Sequence, residues 1–396
     1  MMHKLTLKSD LGDQLLITSL AGTETLGQLF SYRFSLISPN DTVDLRELLG
    51  SSMAAKLEVG TSYKRHLGGI VTEITQIGFE ARDGKRYAAY AALIEPKPWL
   101  LSQKIDSRIF KNLSVPDMIR KLLGEIGYSD IELRLNRTYP PCECCVRYRE
   151  DCLNFISRLM EEEGIYYHFV HGESTHTMVL ADSVSAHKST AGYAELPYSE
   201  GGAGSASLVG VQTFAVARSV HITKYALTDH DPLKPRTSFQ VNARSGIDGD
   251  LHPVAGLESF DFPGDHFIAA DGTCHASARI EGLRMPRDRY SGTSNAPGLL
   301  PGALFKLVKL PRDDLNVEYR VVGTTMISIK GPPRSAGGSE ERPTSLQSDV
   351  RRAPDRRRPA SRCRLPRRES LGHRCRQVRS RASDLSLRKK RPGVSR

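Results

Sequence analysis

The sequence predicts a mainly β protein with an α+β insertion: two barrel-like strand regions over residues 1–95 and 183–330, an α/β segment over 96–182 between them, and a tail over 331–396. Three observations predict it. Short runs alternate apolar and polar residues at both ends of the folded part, the period used by strands. Between Trp99 and Asp182 that period gives way to the three-to-four-residue spacing of amphipathic helices. Beyond Lys330 neither period survives.

The first region reads as six strands, Leu5–Lys8, Leu15–Leu20, Ser31–Ile37, Ala54–Val59, Gly69–Ile77 and Arg86–Ile94. Tyr32, Phe34 and Leu36 alternate plainly, and Ile70 and Val71 lead to Ile74. Short strands at this spacing favour a sandwich or barrel. Asp44–Gly50 suggests one short helix closed by its glycine.

In the middle segment Ser114 is the expected N-cap of a helix, with Pro116 in its first turn and Asp117 three residues past the cap. Met118, Ile119, Leu122, Leu123 and Ile126 line one face, and Gly127 ends the run. A second helix carries Leu153, Phe155, Ile156, Leu159 and Met160 on one face and stops at Gly164, since glycine takes the left-handed conformation without strain. Strands Ile165–Val170 and Thr177–Leu180 follow, joined through Gly172-Glu173-Ser174. Glu161-Glu162-Glu163 places three like charges at the negative end of the helix dipole, which disfavours each by a few tenths of a kcal/mol. Local folding gives no reason for that triplet.

In the third region Leu208–Ala215, Val220–Tyr225 and Ser238–Asn242 read as strands, Ala269–Leu283 as a helix limited by Pro286, and Leu304–Leu310 with Val317–Ile329 as a closing strand pair.

Several motifs taken together resemble one family. They are Glu24–Phe34 (ETLGQLFSYRF), Leu67–Ile74 (LGGIVTEI), Glu95–Leu101 (EPKPWLL), Val115–Leu122 (VPDMIRKL), Tyr139–Tyr148, the stretch from Tyr148 to Phe169, Ala181-Asp182-Ser183, Tyr290–Asn295 (YSGTSN) and Pro311–Val322 (PRDDLNVEYRVV). In this order, over roughly residues 1–330, they resemble the N-terminal half of VgrG, the spike protein of bacterial type VI secretion systems, and its relatives at the tips of contractile phage tails. The resemblance implies a phage tail hub fold of two β-barrel-like domains with an α/β part between them. It also implies a structural rather than enzymatic role: a homotrimer seated on the hexameric inner tube protein, in contact with baseplate components, carrying a needle, effectors and their adaptors. Such a protein is loaded in the cytoplasm and leaves through the type VI machine without a signal peptide. A phage-tail or pyocin baseplate hub is the nearest alternative.

Composition sets further bounds. The chain holds 56 Lys+Arg and 45 Asp+Glu, a net +11. Of these, residues 331–396 carry 20 basic and 6 acidic groups, net +14, which leaves net −3 for residues 1–330. The basic balance therefore belongs to the tail. Its charge and proline content predict disorder, and a polyanion-binding arm is the functional alternative. With no Phe, Tyr or Trp from Gly331 to Arg396, base stacking on them is not available, so no specific nucleic-acid partner is expected. No run of about 18 apolar residues occurs, so stable membrane insertion is not expected. The start MMHKLTLKSDLGDQ lacks an apolar signal core.

The tail also reads as an altered frame. Back-translated with permitted codons and shifted by one base, His373–Leu385 (HRCRQVRSRASDL) becomes TDAGKYGRVRVI. That string matches the Lys-Tyr-Gly-Arg-Val element of the oligonucleotide/oligosaccharide-binding (OB) barrel that follows the hub in the family. The expectation is a hub truncated by a frameshift shortly after residue 330, before the OB barrel and β-helix, with weakened trimerisation and no complete spike.

Other constellations are weighed for chemistry. Cys142 and Cys145 have Cys-x-x-Cys spacing beside Cys144, but Cys152 starts a helix and no fourth ligand follows, so the cysteines read as thiols and not as a zinc site. The odd count of seven cysteines does not suit a disulfide framework. His168, His171 and His176 lie on the hairpin, where His168 and His176 are placed to approach each other near Glu173, without a His-Glu-x-x-His pattern. Asp229-His230-Asp231 sits among loop residues. Gly201–Gly210 lacks the lysine of a phosphate loop and reads as a linker. In EPKPWLL, Pro96 and Pro98 stiffen a corner at Lys97, and Trp99, the only tryptophan, is expected to be buried. No catalytic, cofactor-binding or metal-binding residue is assigned, and no cofactor.

Overall fold

The computed structural model describes residues 3–59, 63–82, 84–199, 209–244, 256–264, 266, 268–284, 287–330 and 345–352. Alternating apolar residues form six antiparallel strands at the N-terminal end: β1 (His3–Lys8), β2 (Leu16–Thr25), β3 (Ser31–Ser38), β4 (Ser52–Val59), β5 (Tyr63–Arg82) and β6 (Lys85–Glu95). Their order is β1-β4-β5-β6-β3-β2. Tyr32, Phe34 and Leu36 all point inward and join Leu20, Met53, Leu67 and Tyr90 in one core. A four-residue helix α1 (Leu45–Leu48) begins at Asp44, whose carboxylate accepts the Arg46 N–H.

The LGGIVTEI motif lies where β5 changes neighbours. It pairs with β4 over Tyr63–Ile70 and with β6 from Ile70 onward. A Cβ on Gly69 would stand 2.2 Å from the Glu95 carbonyl oxygen, and one on Gly68 would stand 2.6 Å from the Ala54 Cβ. Two glycines let three strands converge there.

The insertion starts with a 3₁₀ turn, Lys97–Gln103. It continues through β7 (Ile105–Phe110), α2 (Val115–Glu125), β8 (Ile131–Arg134), β9 (Cys145–Asp151), α3 (Cys152–Glu163), β10 (Tyr166–His171) and β11 (His176–Ala181). Ser114 caps α2 by accepting the Asp117 N–H, and Met118, Ile119, Leu122 and Leu123 are buried. Asp151 caps α3, and Gly164 closes it at φ 67°. Strands β10 and β11 form the expected hairpin, and β11 also runs parallel to β8. Both helices pack through one core that includes Phe110, Phe155, Met178 and Leu180. Trp99 departs from expectation, being only partly buried. A 3₁₀ turn repeats every three residues, so Pro98 and Leu101 take its buried face and leave Trp99 on the flank.

The third region contains β12 (Glu195–Pro197), β13 (Val211–Arg218), β14 (Lys224–Leu227), β15 (Val241–Arg244), β16 (Glu258–Asp261), α4 (Ala269–Arg284), β17 (Asp288–Ser294), β18 (Leu304–Val308), β19 (Glu318–Lys330) and β20 (Ser345–Arg352). The small sheet β15-β14-β16 packs Tyr225, Leu227, Val241 and Ala243 against Ala276 and Ile280 of α4. Strands β18 and β19 pair as expected, Phe305 opposite Tyr319. Strand β19 also pairs with β2, from Thr25 opposite Gly323 to Ser19 opposite Lys330. Among the described residues the first and third regions therefore share one twelve-stranded sheet.

The expectation of disorder past residue 330 is corrected over Ser345–Arg352, which forms β20 between β19 and β17. Backbone pairing on both edges uses only N–H and C=O groups, so an irregular, charged sequence can adopt it. The rest of the tail, with the frameshift reading of His373–Leu385, lies outside the described residues, as do residues 201–208 of the glycine-rich stretch.

Candidate functional site

A cluster of buried polar groups gathers where the three regions meet. Arg65 lies in β5 at the same inward parity as Leu67, and its side chain is enclosed. Its Nη2 donates to Glu24 Oε1 at 2.5 Å, and its Nη1 donates to the Pro297 carbonyl at 3.3 Å. The Tyr32 hydroxyl donates to the same Glu24 oxygen at 2.8 Å and lies 2.9 Å from His171 Nε2 on the insertion hairpin. Burial opposes charge on Glu24, but the Arg65 cation and the hydrogen bonds from Tyr32 and Arg65 outweigh it and hold the carboxyl below its usual range. Burial and Glu24 push the Tyr32 hydroxyl well up.

The rest of the ETLGQLF motif completes this junction. Leu26 N–H donates to Val322 O at 2.8 Å in the third region, and Gly27 N–H donates to Tyr167 O at 2.7 Å in the insertion. Phe30 stacks on Tyr32 and meets the rings of Phe169, His171 and His176. One seven-residue turn therefore touches all three regions.

The glutamate triplet acquires a reason at this level. Glu161 pairs with Arg279 of α4 at 3.0 Å, Glu162 with Arg158 at 3.3 Å and Glu163 with Arg137 at 2.9 Å. The outer two fasten α3 to elements distant in sequence, which offsets their unfavourable place on the helix dipole. Asp182 of the Ala181-Asp182-Ser183 motif is buried and accepts Asn136 N–H, Arg137 N–H and the Tyr139 hydroxyl. It thereby fixes the chain after β8 against the end of β11.

The residues weighed for chemistry are dispersed. In the hairpin register His176 faces His171, and His168 faces Val179 instead of His176. Glu173 is exposed at the turn. His176 Nε2 accepts the Lys97 N–H at 3.0 Å, which is what Lys97 and the EPKPWLL corner position. Burial lowers His168, His171 and His176 to about 4, so all three are neutral imidazoles at neutral pH. Cys152 is buried, contacted by Arg147 Nη1 at 2.6 Å and donating to Lys104 O at 3.2 Å. Burial raises its pKa despite Arg147. Cys142 pairs with Leu113 and Cys145 with Phe110 along the β7–β9 ribbon, so their spacing follows strand pairing. Cys144 is half-buried beside them. Asp229 turns inward, His230 is exposed, and Asp231 accepts the Leu233 N–H in a local turn. Among the described residues no group of three or more His, Cys, Asp or Glu is placed to hold a metal ion.

Sequence reasoning did not single out Arg65 or Arg147, the largest buried cations of these two regions. For Arg65 a signal existed: a charged residue at the inward parity of an otherwise apolar strand.

A large sheet shared by the first and third regions, an α/β insertion between them, and buried polar contacts at their joints define a hub-type fold. Residues 23–330 match the phage tail baseplate hub (GPD) family, and the chain belongs to it. Within that family it is similar to two type VI secretion system spike proteins of Pseudomonas aeruginosa, VgrG1a (39% identical over 311 residues) and VgrG1c (38% over 316). Those alignments cover 78% and 80% of this chain and 47% and 43% of the relatives, so the chain spans less than half of their length. A protein of Vibrio cholerae named actin cross-linking toxin VgrG1 is 28% identical over 335 residues, which is 29% of that protein.

Solved structures share the fold. One is the E. coli c3393 protein, described as a type VI secretion component similar to the phage T4 tail proteins gp27 and gp5. Its TM-score is 0.65 at 20% identity, covering 93% of this chain and 82% of that one. A tail protein of Neisseria meningitidis has a TM-score of 0.60 at 10% identity, covering 89% and 97%.

Proposed function

We propose that this chain is the structural hub of a type VI secretion spike, a non-enzymatic part that joins the inner tube to a needle and helps to deliver effectors. The similarity to the VgrG spike proteins over about four-fifths of the chain carries this reading. Edges of the large sheet that have little or no neighbour among the described residues support assembly from several copies. Among the described residues β13 ends the strand order with only a bridge from Val211 to Tyr198, and the β4-side edge of β5 is paired no further than Val71. Long open strands are ordinarily covered, and a closed ring of three copies covers them symmetrically. The neighbours of such a homotrimer are the hexameric inner tube protein, baseplate components, and effectors with their adaptors. It is loaded in the cytoplasm and secreted through the contractile machine. No helix of the described residues is long and apolar enough to cross a membrane.

Light scattering of the purified chain over rising concentration, with and without the tube protein, tests the reading. Co-elution with tube hexamers supports the hub reading, and a chain that ignores the tube protein at high concentration sinks it; a stable trimer of the purified chain counts against the weakened trimerisation expected of a truncated hub. Gene neighbours separate this reading from a phage-tail or pyocin hub. Resequencing the codons for Ile327 to Arg396 tests the altered-frame reading of the tail, which fails if no other frame encodes an OB barrel.

A further inference from the structure

We infer that Glu24, Tyr32, Arg65 and His171 form a proton-sensitive latch that holds the β10–β11 hairpin, and with it the insertion, on the large sheet. The hydrogen bonds have a direction. Tyr32 gives its only proton to Glu24, so its oxygen accepts from His171 Nε2–H, and His171 must hold its single neutral proton on Nε2. His171 Nδ1 is then bare, and it is enclosed with no hydrogen-bond partner. A second proton on this ring would go to Nδ1, where no acceptor meets it.

The groups facing His171 do not compensate. Glu24 of β2 favours a cation there, but its Oε1 already serves Arg65 and Tyr32. Arg65 and His66 of β5 and His176 of β11 all oppose one. The Phe30 ring lies against the imidazole at 4.8 Å. Opening the latch exposes Nδ1 to water and restores an ordinary histidine.

The open form therefore binds a proton more tightly than the closed form. Above pH 6.5 neither form takes it and the latch is at full strength. As pH falls from 6.5 toward about 4, protonation draws the open form out, and below that both forms are protonated. The shift between pH 7 and pH 5 favours opening by roughly tenfold or more.

Hydrogen–deuterium exchange of the full chain at pH 7 and pH 5, expressed as protection factors to remove the intrinsic pH dependence, reads this directly. Protection of residues 166–171 is expected to fall about tenfold at pH 5 relative to residues 88–94 in β6. His171→Phe, which keeps a ring but cannot titrate, should reduce that dependence while leaving the share of His168 and His176, and Tyr32→Phe should loosen the hairpin at both pH values. His168 and His176 are also on this hairpin, so a pH effect that persists unchanged in His171→Phe belongs to them and overturns the latch. So does equal protection of the two segments at both pH values in the unmodified chain.

Discussion

Arg65 and Glu24, 41 residues apart in sequence, meet at 2.5 Å with side chains only 4% and 6% exposed. The pair is walled by the Tyr32 hydroxyl and the Pro297 carbonyl. A buried pair of this kind adds little to net stability against an apolar alternative, but removing one partner leaves the other charge stranded.

Arg65→Met should therefore destabilise the chain by about 3–5 kcal/mol. The double variant Glu24→Gln with Arg65→Met should recover much of that loss. Urea unfolding of the three forms decides it. Equal midpoints for the single and double variants would show that the pair is not coupled.

Asp182 accepts from two backbone N–H groups and a tyrosine hydroxyl while buried. Asp182→Ala leaves those donors unmet, at a cost of about 1–3 kcal/mol. A thermal melt within a degree of the parent would contradict this.

Gly164 closes α3 at φ 67°, where a side chain is strained, so Gly164→Ala should cost about 1–2 kcal/mol. Gly69 has a different constraint, since its Cβ would meet a backbone oxygen at 2.2 Å and nothing flexible can yield. Gly69→Ala should be the more damaging of the two. Denaturation midpoints of both variants provide the ranking, and the reverse order would refute it.

Buried His168 and half-buried His176 are neutral bases lowered to about 4, by desolvation foremost. Arg134 reinforces the shift at His168 and Lys97 does so at His176, while Glu132 and Asp130 oppose it. The unfolded chain binds their protons near pH 6.5. Stability is accordingly full above 6.5 and declines as pH falls toward 4, by up to ~3 kcal/mol for each group. Urea midpoints at pH 7.5 and 5.0 should differ in that direction, and His168→Gln should reduce the difference.

Much of the frame was legible because it depends on local pattern. The capped helices at Ser114 and Gly164, the hairpin around Gly172 and the six N-terminal strands follow from spacing and from residues whose conformational preferences are intrinsic. Short or one-sided elements were less visible. Strands β7, β8, β9 and β16 carry too little alternation to stand out, and Val220–Tyr225 gave way to Lys224–Leu227, where Tyr225, Ala226 and Leu227 find a buried face.

The sequence by itself determined the fold class, the family motifs and where the helices begin and stop, since these rest on short-range sterics, capping and hydrophobic period. Only the tertiary structure decided that β2 and β19 join the first and third regions in one sheet, that β20 enters it, and that Glu161 and Glu163 have distant arginines. It also decided that Arg65, Glu24, Tyr32 and His171 converge. Hydrogen bonds and ion pairs between distant segments depend on which strands become neighbours, and that outcome belongs to the packing of the whole chain, not to any window of its sequence.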